Sequence, residues 1–491
     1  MCPDILLLLL LCAYLPCLLC QPPHILVMVA DNLGYNDVSW HNPAVITPNL
    51  ANLAVAGITL EQHYTQPICS PTRGALLTGK YPIHNGLHNG IIEPLVPYGL
   101  DTTLTTLPEE LRRANYTTHI VGKWHLGICN KKFWPTNRGF DHHYGFLLGA
   151  EGYFTHSRDD GYDFRDDEEV ALAANGTYST TLIQERAIDI ISQHDKDKPL
   201  FLYIPFQAVH GPLEVPEVYR DMYTQVEDEK RRTFLGMVTA MDDAVGNITE
   251  ALKSAKLYDD TVIVWFSDNG GPVNSWPPGH ELGYAANNFP LRGSMFTLFE
   301  GGTRTVAFVH APLYLSPRIS TNWMHVTDWL PTLLSAAGLS PTNNDLDGLD
   351  QWQQLQDQSL PSPRTEMIYN IFYPNFPEFN ITGGPPIAAI RNGDWKYIHR
   401  TMGYAGWAEA PETGQKGAQL PDYDDIRNVL YNIATDPEEK ENLFETEPDV
   451  AQKLKAKLEE YIEALPEGFY PPKNPAGKPE NFGGVWSDGW C

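Results

Sequence analysis

Positive charge is what this sequence has least of. Its 491 residues carry 34 Lys and Arg against 61 Asp and Glu, a formal net charge of -27. Nucleic-acid binding needs a cationic footprint, so that class is excluded. Anionic membrane surfaces are disfavoured for the same reason. After residue 20 no apolar run is long enough to span a bilayer, so no stable membrane insertion is expected. Repeats and low-complexity tracts are absent, and the glycines and prolines show no collagen-like period. A hydrophobic fraction of 42% rules out a disordered chain. An acidic chain can still bind an anion, but only through a local basic pocket.

Cysteine is scarce beyond the N-terminus. Cys2, Cys12, Cys17 and Cys20 fall in or beside the uncharged apolar stretch Ile5 to Cys20, which reads as a secretory signal over residues 1–20. No Lys or Arg precedes it, and Asp4 is unusual in that position. Cys69, Cys129 and Cys491 remain, and an odd count marks one thiol as spare or chemically special. If Cys69 is consumed by other chemistry, Cys129 and Cys491 can form one disulfide; the alternative is that both stay unpaired, and the sequence leaves this open. Asn-x-Thr sequons at Asn115, Asn175, Asn247 and Asn380 predict glycosylated surface loops in the secretory pathway.

The apolar runs His24 to Ala30, Leu200 to Pro205 and Thr261 to Phe266 are bounded by turn residues and predict strands buried on both faces. Helical patterns lie between them, as at Thr106 to Ala114 and Arg232 to Lys256. This alternation predicts an α/β architecture with a central, mostly parallel sheet between helices. Ligands of such sheets bind beyond the carboxyl ends of the strands, where Asp31 and Asp268 stand. After about Leu360 the composition shifts to short strand-like pieces (Met367 to Ile371, Ala388 to Arg391, Trp395 to Ile398), with Asn392-Gly393 as a hairpin signal. An amphipathic helix over Pro448 to Leu465 follows. Residues 21–360 therefore read as a catalytic domain, and 361–491 as a smaller α+β domain with a Pro- and Gly-rich tail that wraps the surface.

The segment Gln66 to Lys80, QPICSPTRGALLTGK, carries the most information. Ser70 is expected to cap a helix that begins at Pro71 and closes at Gly79. Cys69 would then precede a helix N-terminus, where unpaired N–H groups favour an anion. Arg73, one turn in, adds a fixed cation beside a reactive cysteine.

Cys69-Ser70-Pro71-Thr72-Arg73 followed by Leu76-Leu77-Thr78-Gly79-Lys80 resembles the sulfatase signature. Other segments match that family in order: Ala30-Asp31-Asn32-Leu33-Gly34-Tyr35-Asn36-Asp37-Val38, Gly122-Lys123-Trp124-His125-Leu126-Gly127, His210, and Ser267-Asp268-Asn269-Gly270-Gly271. Runs such as Arg138-Gly139-Phe140-Asp141 make the likeness strongest to the arylsulfatase B (N-acetylgalactosamine-4-sulfatase) branch. The resemblance implies an alkaline-phosphatase-like fold and a sulfuric ester hydrolase. It implies that a formylglycine-generating enzyme oxidises Cys69 to formylglycine during secretion. It also implies a divalent cation, Ca²⁺ or alternatively Mg²⁺, held by Asp31, Asn32, the modified Cys69, Asp268 and Asn269, a hard-oxygen set. Arg73 and Lys123 would grip the sulfate, His210 would protonate the leaving alcohol, and His125 would take a proton from the hydrated aldehyde. The substrate implied is a sulfated sugar or a small sulfate ester, and the destination is secreted or lysosomal. His41, His63, His84, His88, His142 and His143 read as surface or structural.

Two positions depart from the family pattern. Asn32 stands where an Asp is usual, which removes one negative charge from the metal loop. Met295 stands where relatives carry a sulfate-binding lysine, and methionine offers neither charge nor donor. Such a loss costs a few kcal/mol of transition-state stabilisation, roughly two to three decades in rate. Arg292 or His280 are the candidates to compensate, but Arg292 has its own place in the family pattern. These substitutions keep a second class in view: a weakened or inactive sulfatase-fold protein that binds sulfated glycans or a protein partner.

Overall fold

The structure is a computed structural model that describes residues 22–273, 284–373, 375–376, 381–382, 384–414, 417, 424–465 and 471–491. The signal segment, His280 and Asn380 lie outside the described residues.

Ten strands form one sheet. From one edge the order is Arg318–Ser320, Ile58–Leu60, Ala307–His310, Thr261–Ser267, His24–Ala30, Leu200–Pro205, Thr117–Lys123, His142–Phe146, Arg165–Asp166 and Glu169–Val170. The five strands from Thr261–Ser267 to His142–Phe146 run parallel, and antiparallel pairings flank them. His24–Ala30 shows why the centre is apolar throughout. Ile25, Val27 and Val29 enter the hydrophobic cluster on one face, and Leu26, Met28 and Ala30 enter the cluster on the other. Side chains alternate along a strand, so a strand covered on both faces needs apolar residues at every position. The long helix Glu229–Ala255, one of those covering the sheet, buries Phe234, Leu235, Val238, Met241, Val245 and Ile248.

A second, antiparallel sheet orders Glu366–Phe372, Ile387–Asn392, Trp395–Gly403 and Asp424–Asn432 in sequence, and the helix Pro448–Glu463 lays Ala451, Leu454 and Leu458 on it. Its hairpin turns one residue later than the Asn-Gly signal suggests: Asn392 pairs with Trp395, and Gly393, at φ 56°, takes the left-handed position. Buried charge joins this sheet to the larger domain. Lys396 Nζ lies 2.8 Å from Glu300 Oε1 and 2.9 Å from Glu439 Oε1. Tyr64 donates to the other oxygen of Glu300 at 2.7 Å, and Tyr369 to the first at 3.3 Å.

The C-terminal tail does more than wrap the surface. Trp486 and Trp490 insert into the main core, and Cys129 and Cys491 form a disulfide. Asn115, Asn175 and Asn247 are exposed. Asn247 lies within the helix Glu229–Ala255, not in a loop as expected, because the sequon falls on that helix's polar face.

Candidate active site

Two adjacent strand ends start the site. Ala30 and Ser267 are register partners, so Asp31-Asn32 and Asp268-Asn269 leave the sheet side by side. All four are fully buried. Asn32 N donates to Asp268 Oδ1 at 3.2 Å, and Asn269 Nδ2 donates to Asn32 Oδ1 at 2.7 Å. Asn32 sits at φ 64°, a left-handed conformation that asparagine tolerates better than most residues. Two residues that the sequence did not single out hold these loops. Asn288 accepts from Gly271 N at 2.9 Å and from Tyr35 N at 3.4 Å, clipping one loop to the other. Arg231 donates to Asp37 Oδ1 at 2.7 Å, while Asp37 Oδ2 accepts from Gly34 N and Asn287 N.

The helix that carries the cysteine runs Cys69–Thr78, so Cys69 is its first residue and Ser70 is not its cap. Ser70 Oγ instead donates to the His125 carbonyl at 2.9 Å and accepts from Ile92 N at 3.2 Å. The serine ties the helix start to the His125 strand end, which outweighs local capping. Gly79 closes the helix at φ 65°, as the sequence predicts. Cys69 Sγ lies 3.6 Å from Asp31 Oδ1. Burial, with Asp31 beside it, pushes the thiol well above its ordinary range, so an unmodified Cys69 stays a neutral thiol.

Arg73 forks across the two carboxylates, with Nη2 at 3.1 Å from Asp31 Oδ2 and 2.8 Å from Asp268 Oδ2. Lys123 Nζ pairs with the same Asp31 oxygen. Burial opposes the Arg73 charge, but Asp268 and Asp31 overcome it and hold the guanidinium protonated. Burial and the neighbouring Asp31 raise Asp268. Ligand atoms of Asp31, Cys69 and Asp268 lie within 4.8 Å of one another, a buried group able to hold a metal ion. Asn269 Oδ1 is buried with no hydrogen-bond partner. An orphaned carbonyl beside clustered carboxylates suits a hard divalent cation and leaves a buried acceptor otherwise unexplained.

His125 and His210 complete the cluster. His125 sits at φ 59°, and a Cβ on Gly149 would come within 2.6 Å of its ring, so only glycine lets the chain pass there. Its Nδ1 is buried without a partner. Burial, then Lys123 and Arg73, hold His125 well below its ordinary value. His210 donates from Nδ1 to the Gly211 carbonyl at 2.6 Å, which leaves Nε2 as its acceptor. Burial and Lys123 press it down to about 3.

Met295 is buried and donates its N–H to the Gly271 carbonyl at 3.2 Å, which puts it against the second metal-type loop. Arg292 does not take the place of the missing lysine. It donates to the Ala405 carbonyl at 2.7 Å and to Tyr431 Oη at 2.8 Å, and lies over Trp407, so it serves the junction with the second sheet.

A family profile described as Sulfatase matches residues 23–339. The chain belongs to the sulfatase family. It is 37% identical to arylsulfatase J of Mus musculus over 486 residues, covering 94% of this chain and 80% of that protein. Identity to N-acetylgalactosamine-6-sulfatase of Homo sapiens is 31%, over 67% of this chain and 65% of the relative. Identity to arylsulfatase A of Homo sapiens is 29%, over 89% and 87%. Among solved structures, Ps i-CgsB in complex with k-i-k-neocarrahexaose superposes with a TM-score of 0.78 at 26% identity, covering 93% of this chain and 96% of the other. The chain is a sulfuric ester hydrolase with an alkaline-phosphatase-like fold. None of its described helices is long and apolar enough to cross a membrane.

Proposed function

We propose that this sulfatase cleaves the sulfate ester of a sulfated sugar at the cluster around Cys69, after that cysteine has been converted to formylglycine by a formylglycine-generating enzyme. One observation carries the reading: a free, buried thiol opens a helix inside a ring of two carboxylates, two cations and two histidines. The thiol is a poor nucleophile there. The oxidised residue would supply a hydrated aldehyde as nucleophile, and a bound Ca²⁺ (or Mg²⁺) would supply Lewis acidity. Asp31, Asn32, Asp268 and Asn269 would hold that ion.

The chain's own residues account for the rest. The Cys69 helix N-terminus, Arg73 and Lys123 place positive charge where sulfate oxygens bind. An anion in that position offsets the cations that depress His125 and His210 and raises their basicity. His210 then donates from Nε2 to the leaving oxygen, while its Nδ1 contact with Gly211 fixes the ring. His125 accepts a proton at the Cys69 side. Asn32 and Met295 support a slower or more specialised catalyst than relatives with an Asp and a Lys there. The exposed sequons and the N-terminal apolar segment support a glycoprotein of the secretory pathway, secreted or lysosomal. Arylsulfatase B-like specificity for sulfated N-acetylgalactosamine is the substrate class the sequence runs favour.

Mass spectrometry of the peptide spanning Cys69, from protein secreted by a eukaryotic host, tests the nucleophile. Formylglycine at 69 together with sulfate release from an aryl sulfate is the expected result. An ordinary cysteine, in a host that converts a control sulfatase, removes the proposed nucleophile.

A further inference from the structure

One loop ties both histidines to a single arginine. Gly149 abuts the His125 ring, and Tyr153 Oη donates to the His210 carbonyl at 2.8 Å. Gly152 N then donates to the Ser157 carbonyl at 3.0 Å, a closure that delivers the short strand Ser157–Arg158. This strand pairs with Gly161–Tyr162 across Asp159 and Asp160, both left-handed at φ 47° and 63°, the geometry of a two-residue type I′ turn. The C-terminal tail braces the hairpin from outside. Tyr162 N donates to the Gly484 carbonyl at 2.9 Å, and Trp486 Nε1 donates to the Arg158 carbonyl at 2.8 Å. The Arg158 backbone is thus fixed by contacts that its side chain does not make.

The side chain is 30% exposed, and its ion-pair partner among the described residues is the Asp159 carboxylate at 3.6 Å, itself 67% exposed. That is longer than a hydrogen bond and screened by water. Among the described residues, the guanidinium donors are therefore open to a ligand. Its charge reaches both imidazoles, where it is one of those that press His125 and His210 down. The other cations of the region are committed: Arg73 and Lys123 to Asp31 and Asp268, Arg292 to the second sheet. Arg158 is also the outermost, since Cys69, Arg73 and Lys123 are buried.

We propose that Arg158 is a specificity residue, whose planar fork binds a second anionic group, carboxylate or sulfate, on the leaving-group side of the substrate. An arginine fork matches either oxyanion in two parallel hydrogen bonds, and its place on the outer loop that Tyr153 ties to the His210 carbonyl suits the leaving group rather than the transferred sulfate. The proposal rests on the sulfatase reading of the same site.

The test compares R158Q and R158K with the native enzyme on phenyl sulfate, 3-carboxyphenyl sulfate and benzene-1,3-diyl bis-sulfate. R158Q is expected to lower kcat/KM by roughly tenfold or more on the two substrates with a second anion, mainly through KM, and by less than about threefold on phenyl sulfate. R158K, which keeps the charge but not the fork, should recover part of the loss. Whichever dianion loses more identifies carboxylate or sulfate as the group read. An equal fall on all three substrates, or no fall, overturns the proposal. If R158Q melts lower than the native enzyme, R158K alone decides by the same criterion. If the native enzyme hydrolyses none of the three, the hydrolase reading fails separately. Protection of native and R158Q protein against thermal unfolding by the same compounds then decides Arg158: stronger protection of the native protein by the dianions supports it, and equal protection overturns it.

Discussion

Two of the buried charge clusters among the described residues differ in what they leave unsatisfied. Around Glu300, Lys396 and Glu439 the polar groups largely answer one another, with Glu439 Oε1 the exception: it has the Lys396 charge at 2.9 Å but no hydrogen bond. Tyr64 and Tyr369 serve both oxygens of Glu300, Glu439 Oε2 accepts from Glu300 N at 2.6 Å, and Arg391 donates onward to Tyr64 Oη at 2.6 Å. Around Asp31 and Asp268 the accounting stays open: Asn269 Oδ1, Asn32 Nδ2 and His125 Nδ1 are all buried without partners. Leaving a polar group unpaired in the interior costs about 1–3 kcal/mol, so a fold keeps several together only where something else binds. The first cluster is a joint between domains. The second has the open acceptors and donors that the proposed binding site requires.

That contrast can be broken by substitution. Cys69→Ala should reduce sulfate release by at least about a thousandfold while the melting temperature barely moves, because the change is small and removes no ion pair. A large fall in melting temperature would make Cys69 a structural residue. Lys396→Met should do the opposite. It strands two buried carboxylates at a cost of about 3–5 kcal/mol, read by urea unfolding, with kcat per folded molecule within a few-fold of native. Loss of turnover in the folded fraction would mean that the two clusters are not separate.

Smaller changes sharpen the comparison. Met295→Lys returns a cation beside the Gly271 loop and should raise kcat/KM on an aryl sulfate by about tenfold, at some cost in stability from burying the ammonium. A fall in rate would mark Met295 as packing only. Asn32→Asp adds a charge to the proposed cation site and should tighten Ca²⁺ binding several-fold, measured as a larger rise in melting temperature with added Ca²⁺. No change would place the ion elsewhere. The finest effect is in pH. Burial, with Glu300 beside it, raises Glu439 from 4.5 to about 7, so the folded state binds the extra proton between those values. Its contribution to stability is present below about pH 4.5 and is lost as pH rises through 7. Glu439→Gln should therefore shrink the stability difference between pH 5 and pH 7.5 relative to the native protein. An unchanged difference would mean that Glu439 does not titrate there.

Much of the fold was legible because its signals are local. The runs at His24, Leu200 and Thr261 gave the parallel centre, since a strand buried on both faces has no room for polar residues. The motif strings at Asp31, Cys69, Lys123 and Asp268 stand at strand ends and a helix start, and the structure gathers them. What stayed hidden depends on partners far away in sequence. Ser70 looked like a cap, and only the fold reveals the His125 carbonyl that it serves. Arg292 has its own place in the family pattern, but only the fold shows that its partners are Ala405 and Tyr431 on the second sheet's side. Asn288 and Arg231 carry no pattern of their own. Arg158 lay in a hairpin whose brace, Trp486, comes 328 positions later. The tail's Pro and Gly content suggested a surface wrap, because composition does not show two tryptophans finding a core.

The burial of Cys69 sets a timetable. With 3% of its surface exposed, at the start of a helix locked to the His125 strand end, position 69 is closed to any modifying enzyme once the domain has formed. Asp31 and Asp268 impose the opposite order, since they meet only when their strands pair across more than two hundred residues of chain. The proposed conversion of the cysteine would thus belong to the nascent, still open polypeptide, and the proposed cation loading to the finished one. A molecule that folds too quickly would emerge well formed, stable and inert, a failure that no thermal melt would detect.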